Sequence, residues 1–246
     1  MQNDIKVVIL AAGKGKRMQS EKPKALAEIA GKPMLAHLGT SVKEATGTIP
    51  IAVIGHEGEK VKSALGTSFI YVTQEEQLGT AHALLSAQDA CAGAKKVVVL
   101  YGDHPFVSAE TIKKLLEKSK ESNAEITLAS TEVPNFENEY KVFSNFAKIL
   151  RDKEKIIGIR EQKDASEEEK NIKEINPGYY VFNTEFLWPN LNKIKNNNAQ
   201  GEYYLTDLIH IAAQDGDKIE GIKITPREAM GANSKEDLEI LEKLAI

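Results

Sequence analysis

Asp103, in the string YGDHP, is the most telling acid in this chain. It follows Gly102 at the end of an apolar run. A lone carboxylate there suits Mg²⁺, which takes few protein oxygens and completes its shell with water and phosphates; capping of the next turn is the other role the position allows. Lys24, in EKPKAL, follows a proline that stiffens its loop. It can carry an ammonium to the same phosphates or stand solvated at the surface. The string ILAAGKGKRM, residues 9–18, sets Gly13 and Gly15 among Lys14, Lys16 and Arg17 directly after another apolar run. Glycines let the backbone turn tightly and present N–H groups, while the bases supply positive charge. A polyphosphate is the leading ligand, against an ordinary strand-to-helix turn with solvated bases. The named phosphate motifs are both broken: Met18, Gln19 and Ser20 stand where a Walker loop needs Gly-Lys-Ser/Thr, and Met18 replaces the third glycine of the dinucleotide fingerprint.

Gln74 and Gln77, in QEEQLGT, carry amides that donate and accept at a base edge. Because an amide can flip, glutamine alone pairs with uracil or with cytosine, so the choice of base needs fixed backbone partners as well and does not follow from these residues. The other reactive side chains are sparse. Cys91 is the only cysteine, which excludes an internal disulfide and makes a packed thiol the expected state. His37, His56, His82, His104 and His210 show no metal-ligand spacing. A formal charge of −4 argues against a nucleic-acid binder or an anionic-membrane binder. No apolar run approaches a membrane span and MQNDIK lacks the features of a secretory signal, so the chain reads as cytoplasmic.

The elements that must position these groups follow a βα rhythm. Apolar, β-branched runs at 5–11, 49–55, 69–73, 97–101 and 126–130 alternate with helix-forming stretches, one of them starting at Ser108 as N-cap. That alternation predicts an α/β fold with a doubly wound, mostly parallel sheet, in which ligands bind at the carboxyl ends of the strands. The polar motifs fall at those ends. Beyond Thr131, residues 133–146 read as loop and the charge-dense 151–174 as a solvated excursion. The remainder reads as a strand around IKEINPGYYVFN, a helix interrupted by Pro189, a polar loop entering another helix, a strand at IEGIKI and a last helix capped by Ser234 and Asp237. The expected organisation is a single domain over 1–246, about 1–131 forming a nucleotide half and 132–246 a sugar-binding lobe.

The strings LAAGKGKRM, KPKAL, QLGTAHAL, YGDHP, KDAS with EIN, NNNAQGEYYLTD and GANS occur in an order and spacing that resembles the uridyltransferase domain of bacterial N-acetylglucosamine-1-phosphate uridyltransferases, over essentially the whole chain. The resemblance implies a Rossmann-like nucleotidyltransferase fold and a Mg²⁺-dependent transfer of UMP from UTP to N-acetylglucosamine 1-phosphate, in cell-wall precursor synthesis. It implies that Ala11, Ala12, Gly13, Gly15, Gln74, Gly79, Thr80, Tyr101 and Gly102 hold the nucleotide. Arg17, Lys24 and Asp103 would be catalytic, with Asp103 and Asn233 binding the metal. Thr80, Ala147, Glu161, Asn176, Tyr204 and Thr206 would receive the sugar. The family's domain usually precedes a β-helix acetyltransferase built from hexapeptide repeats. No such repeats occur here, so acetyltransfer is not expected, and nothing in the sequence fixes an oligomeric state.

Three departures concern the ligand. Lys16 stands where threonine is usual, Pro177 where EINTG is expected, and FAKIL replaces YGRI, putting Ala147 at a glycine position. Alanine keeps the N–H but adds a methyl group and resists a left-handed backbone. Another sugar or base is therefore the nearest alternative, and a non-catalytic nucleotide-binding module the rival from another class. A phosphate monoester, with a second pKa of about 6, needs little help from a base as nucleophile, which accounts for a chain with no catalytic triad motif.

Overall fold

The computed structural model describes residues 4–13, 15–18, 22–55 and 57–245, and only the backbone of Lys16. Lys14, His56 and the Lys16 side chain thus lie outside the described residues. The chain opens with β1 (Ile5–Ala11) and, after the glycine loop, a small hairpin of β2 (Glu28–Ile29) and β3 (Lys32–Pro33) leading into α1 (Met34–Thr46). There follow β4 (Ile51–Ile54), α2 (Gly58–Leu65), β5 (Ile70–Thr73), α3 (Thr80–Ser86), β6 (Lys96–Tyr101), α4 (Ala109–Ser122) and β7 (Ile126–Glu132). The second half holds β8 (Lys148–Asp152), β9 (Lys155–Arg160), β10 (Glu174–Ile175), β11 (Tyr180–Asn183), α5 (Thr184–Leu191), α6 (Asp207–Asp215), β12 (Ile219–Lys223), α7 (Pro226–Ala229) and α8 (Lys235–Leu244).

The large sheet runs β5-β4-β1-β6-β11-β7-β10-β8-β9, with β12 paired to β7. Its first four strands are parallel, as the βα rhythm predicts. β11 then inserts antiparallel to both β6 and β7, and β10, β8 and β9 continue antiparallel, so the whole sheet is mixed. The central strands are apolar through their middles, residues 7–10 of β1 and 97–100 of β6, because both faces are covered. Alternation sends Val8, Leu10, Val97 and Val99 into a core under α3, α5 and α6. Val7, Ile9, Val98 and Leu100 go to the opposite core under α1, α2 and α4. A third apolar cluster joins Phe143, Phe146, Ile175, Met230 and Leu241 beneath α7 and α8.

Local signals hold where they were expected. The Ser108 hydroxyl accepts from Thr111 N at the start of α4, and Ser234 and Asp237 form a reciprocal capping box on α8. Pro189 sits inside α5. Cys91 is packed in the core, where burial pushes its thiol up to about 12, so it is no nucleophile at neutral pH. The charge-dense stretch departs in part from its reading as a solvated excursion, which holds for the irregular, exposed or half-buried residues 161–173. Residues 155–160 form β9, paired with β8 in a hairpin whose register shifts at Leu150/Arg151. Two of its bases are paired within the fold, Arg151 with Glu174 at 2.6 Å and Arg160 with Glu169 at 3.0 Å, while Asp152, Lys153, Glu154, Lys155, Lys163, Glu167 and Glu168 stay exposed. Residues 138–145, read as loop, form a 3₁₀ segment.

Candidate active site

Because β1, β4, β5 and β6 run parallel, their carboxyl ends share one rim, and the segments following β1 and β5 meet there around a cavity of about 600 Å³. Ala12, Gly13, Gly15 and Arg17 come from the loop after β1, Lys24 from the next turn, Gln74, Gln77, Gly79 and Thr80 from the link between β5 and α3, and Asn233 from the approach to α8. Gly15 has φ +59°, and a Cβ there would lie 2.9 Å from that of Lys24, so glycine lets the loop fold against the lysine. Gly79 is more constrained. Its φ is +117°, and a Cβ would fall 2.5 Å from the carbonyl oxygen of Tyr203 and 2.6 Å from its nitrogen. That backbone region is essentially reserved for glycine.

At the floor, the Lys24 ammonium bridges the Asp103 carboxylate and the Asn233 side-chain oxygen, the latter at 2.8 Å. Burial alone would raise the Asp103 carboxyl, but the Lys24 ammonium overrides it and keeps the group below the ordinary carboxylate range. His104, next in sequence, is buried, which lowers it to about 4 and keeps it neutral. Its Nδ1 lies 2.7 Å from the Tyr179 hydroxyl, which in turn donates to the Glu228 carbonyl at 2.8 Å. His104 is thus built into the wall behind Asp103. The Gln77 amide donates to the Ala12 carbonyl, fixing the first glycine turn against the segment after β5.

The residues expected to touch a nucleotide largely converge here. Ala11 lines an adjoining cleft of about 230 Å³ that shares Ala12, Gly13 and Gln77 with the main cavity. Tyr101 and Gly102 stand behind the wall: Tyr101 packs against the core under α3, α5 and α6, and Gly102 N donates to the Leu10 carbonyl at 2.9 Å. Lys163 and Glu202 also line the cavity, although sequence reasoning gave neither a role. Both sit inside quoted strings, KDAS and NNNAQGEYYLTD, so the signal was present without an assignment to single residues. Lys163 reaches Gln200 at 2.5 Å, tying those two segments together.

The residues expected to receive a sugar are divided. Glu161, Tyr204 and Thr206 line a second cavity of about 430 Å³ between β9 and α6. There Thr206 donates to Glu161 at 2.9 Å, yet burial raises the carboxyl to about 7. Thr80 belongs to the first cavity, where its hydroxyl accepts from Leu205 N at 2.9 Å and links α3 to the segment carrying Thr206. Asn176 is turned inward, its amide donating to Tyr180 at 2.7 Å and its oxygen accepting from Gly178 N at 3.1 Å, so that it spans Pro177. Ala147 is buried beside it, with its carbonyl accepting from Asn176 N at 2.9 Å. The described non-glycine residues with positive φ are Ala30, Asn123, Asn138 and Lys153, so Ala147 keeps an ordinary backbone that alanine tolerates.

A sheet with a parallel core whose carboxyl rim gathers a glycine turn and the bases Arg17, Lys24 and Lys163 around one cavity, with Asp103 behind Lys24, is the architecture of a nucleotidyltransferase. Residues 7–181 match the MobA-like NTP transferase domain, and the chain belongs to that family. It is 38% identical over 245 residues to the bifunctional protein GlmU of Desulfotalea psychrophila, covering 98% of this chain and 70% of that protein. To GlmU of Fervidobacterium nodosum it is 41% identical over 242 residues, covering 98% of this chain and 50% of the relative. GlmU of Acetivibrio thermocellus gives 40% over 233 residues, with 94% and 49% covered. The chain spans about half the length of these last two relatives. Its fold is similar to that of a Bacillus anthracis protein assigned as a glucose-1-phosphate thymidylyltransferase, solved with sucrose: TM-score 0.79, 24% identity, 98% of this chain and 95% of that chain covered. It is also similar to that of a UDP-glucose pyrophosphorylase complexed with UDP-glucose: TM-score 0.75, 19% identity, 97% of each chain covered. Among the described residues no helix is long and apolar enough to cross a membrane.

Proposed function

We propose that this nucleotidyltransferase transfers UMP from UTP to N-acetylglucosamine 1-phosphate, forming the UDP-sugar and releasing pyrophosphate. The observation that carries the proposal is the convergence of Gly13, Gly15, Arg17, Lys24, Gln74, Gly79 and Asn233 on one cavity, with Asp103 behind its lining, bound to the Lys24 ammonium. A sugar 1-phosphate oxygen attacks the α-phosphorus in line with the departing pyrophosphate. Both reactants are anions, so the protein's work is to hold them together and offset their repulsion. Arg17 and Lys24 supply the positive charge, and the glycine turn lets the backbone come close to the phosphates. No side-chain base is required, because the phosphate is already ionised near neutral pH.

Asp103 and Asn233 are the residues that would hold Mg²⁺. One carboxylate and one neutral oxygen suit a cation that keeps several water and phosphate ligands. The Lys24 ammonium seated between the same two oxygens is a stand-in cation, evidence that the pair favours positive charge. When bound, the metal supplies charge neutralisation at the phosphates.

The relation to GlmU proteins supports the choice of substrates, and so does Glu161, whose carboxyl can accept hydrogen bonds from sugar hydroxyls. Another sugar 1-phosphate or another base is the second reading, favoured by the inward turn of Asn176 and by the methyl group of Ala147. Pyrophosphate release over a grid of four nucleoside triphosphates and several sugar 1-phosphates, with and without Mg²⁺, separates the two. The expected outcome is turnover highest for UTP with N-acetylglucosamine 1-phosphate and dependent on the metal. A different best pair supports the second reading, and nucleotide binding without release at any pair overturns both.

A further inference from the structure

We infer that His82 is a positioning residue that sets the choice of base, by locking the Gln74 carboxamide so that it offers an acceptor, not a donor, to the nucleotide cavity. The inference rests on the proposed function in that it takes this cavity as the nucleotide's. Gln74 directly follows β5 and is buried, with its backbone N–H donating to the Ile54 carbonyl at 2.8 Å. Its Nε2 lies 3.1 Å from the Gly79 carbonyl oxygen and 3.1 Å from Nδ1 of His82, on the first turn of α3.

A carbonyl oxygen only accepts, so the end of the carboxamide facing Gly79 is the NH₂ group. With one proton given to Gly79, the other points to His82, whose Nδ1 is therefore the unprotonated ring nitrogen. Both amide protons are then committed to protein, and Oε1 is the polar atom Gln74 has left for the cavity it lines. An acceptor pairs with the N3–H of uracil or thymine. Cytosine presents a lone pair at N3, and lone pair against lone pair is repulsive. The ambiguity of a free glutamine is removed by its two fixed partners.

His82 is the partner that can be changed without disturbing the Gly79 turn. If Nδ1 is lost, the Gly79 carbonyl is the remaining anchor; a half-turn about χ3, which exchanges Oε1 and Nε2, then gives up one hydrogen bond instead of two and presents a donor to the cavity. The carboxamide then samples both orientations and is held by Gly79 in only one of them, so discrimination between bases weakens while nucleotide binding survives.

The test is calorimetric titration of UTP and CTP, each with Mg²⁺, into the full chain and into His82→Leu and His82→Asn, with thermal melts alongside. The wild type is expected to favour UTP. His82→Leu should lose at least about tenfold of the UTP-to-CTP preference in Kd. His82→Asn, whose Oδ1 reproduces an acceptor near the position of Nδ1, should retain most of it. An unchanged ratio in His82→Leu, or equal losses in the two variants, overturns the role of His82 while leaving the base site intact. A wild type that favours CTP or does not discriminate overturns the reading of the cavity itself, and His82 with it. If His82→Leu does not fold, exchange of the Gln74 side-chain amide protons in the wild type, followed by NMR, decides: slow exchange of both supports the lock, and free exchange of both refutes it.

Discussion

Glu161 shows how a single residue can work against the fold. Its carboxyl is buried between β9 and α6, and burial raises it to about 7 despite the hydrogen bond from Thr206. Since this folded value lies above the ordinary 4.5 of an unfolded glutamate, the chain accepts the protonated form more readily. The penalty is absent below pH 4.5, develops as the pH rises toward 7 and is complete above it. Glu161→Gln should therefore match the wild type in acid but exceed it by on the order of 3 kcal/mol at pH 8, as urea unfolding at the two pH values would measure. The same variant should raise the KM for the sugar phosphate at least tenfold, because an amide offers a hydroxyl a weaker acceptor. Equal stability at pH 8 would refute the shift. Glu161 was legible in sequence only through the family's motif, since nothing in its neighbours tells that the side chain is buried. Lys163 and Glu202 went unassigned for a related reason: which side of a loop faces a cavity is decided by tertiary contacts that spacing does not encode. The glycines, Arg17 and Asp103 were easier, because each follows a strand whose end must lie on the rim; Lys24 stands well beyond β1 and took its role from the resemblance alone.

At the scale of elements, the turn between β5 and α3 is where local backbone and site chemistry are most tightly joined. Gly79 holds φ +117° against the Tyr203 backbone, and its carbonyl receives the Gln74 amide. The Tyr203 carbonyl in turn accepts from Ala81 N at 2.9 Å, so the nucleotide half and the segment carrying Tyr204 are bonded across this point. Gly79→Ala should cost at least about 2 kcal/mol in stability through strain and the Tyr203 contact, and should weaken UTP binding as Gln74 loses its anchor. Urea midpoints and nucleotide titration would check both, and an unchanged midpoint would contradict the strain. The parallel core strands were readable because burial on both faces leaves an uninterrupted apolar run. The β8–β9 hairpin was not. Its register shift at Leu150/Arg151 breaks the period of two, and its charged residues look solvated until folding brings Glu174 beside Arg151 and Lys223, each at 2.6 Å. Burial would raise Glu174, but these cations and the Ser130 hydroxyl bring it to about 2, which marks the charges as part of the fold.

For the whole molecule, the decisive feature is the position of β11. This strand, from the second half of the sequence, hydrogen-bonds antiparallel to β6 on one side and to β7 on the other. β6 therefore bonds a strand from each half of the chain, since its other neighbour is β1. The core under α3, α5 and α6 likewise mixes Leu84 with Leu187 and Leu208. Unfolding either half alone would expose the edge of a central strand and strip one face of the sheet, which disfavours independent melting. The chain should thus unfold in one calorimetric transition, with the cavity at the rim and the one between β9 and α6 lost together. UTP with Mg²⁺ at about a hundred times Kd contributes about 2.7 kcal/mol to the folded state. At roughly 2–4 °C per kcal/mol for a chain of this size, the whole transition should rise by about 5–10 °C. Ligand that moves only part of the heat absorption, leaving a second transition in place, would mean that the two cavities belong to separately folding units, and the shared sheet would not be what couples them.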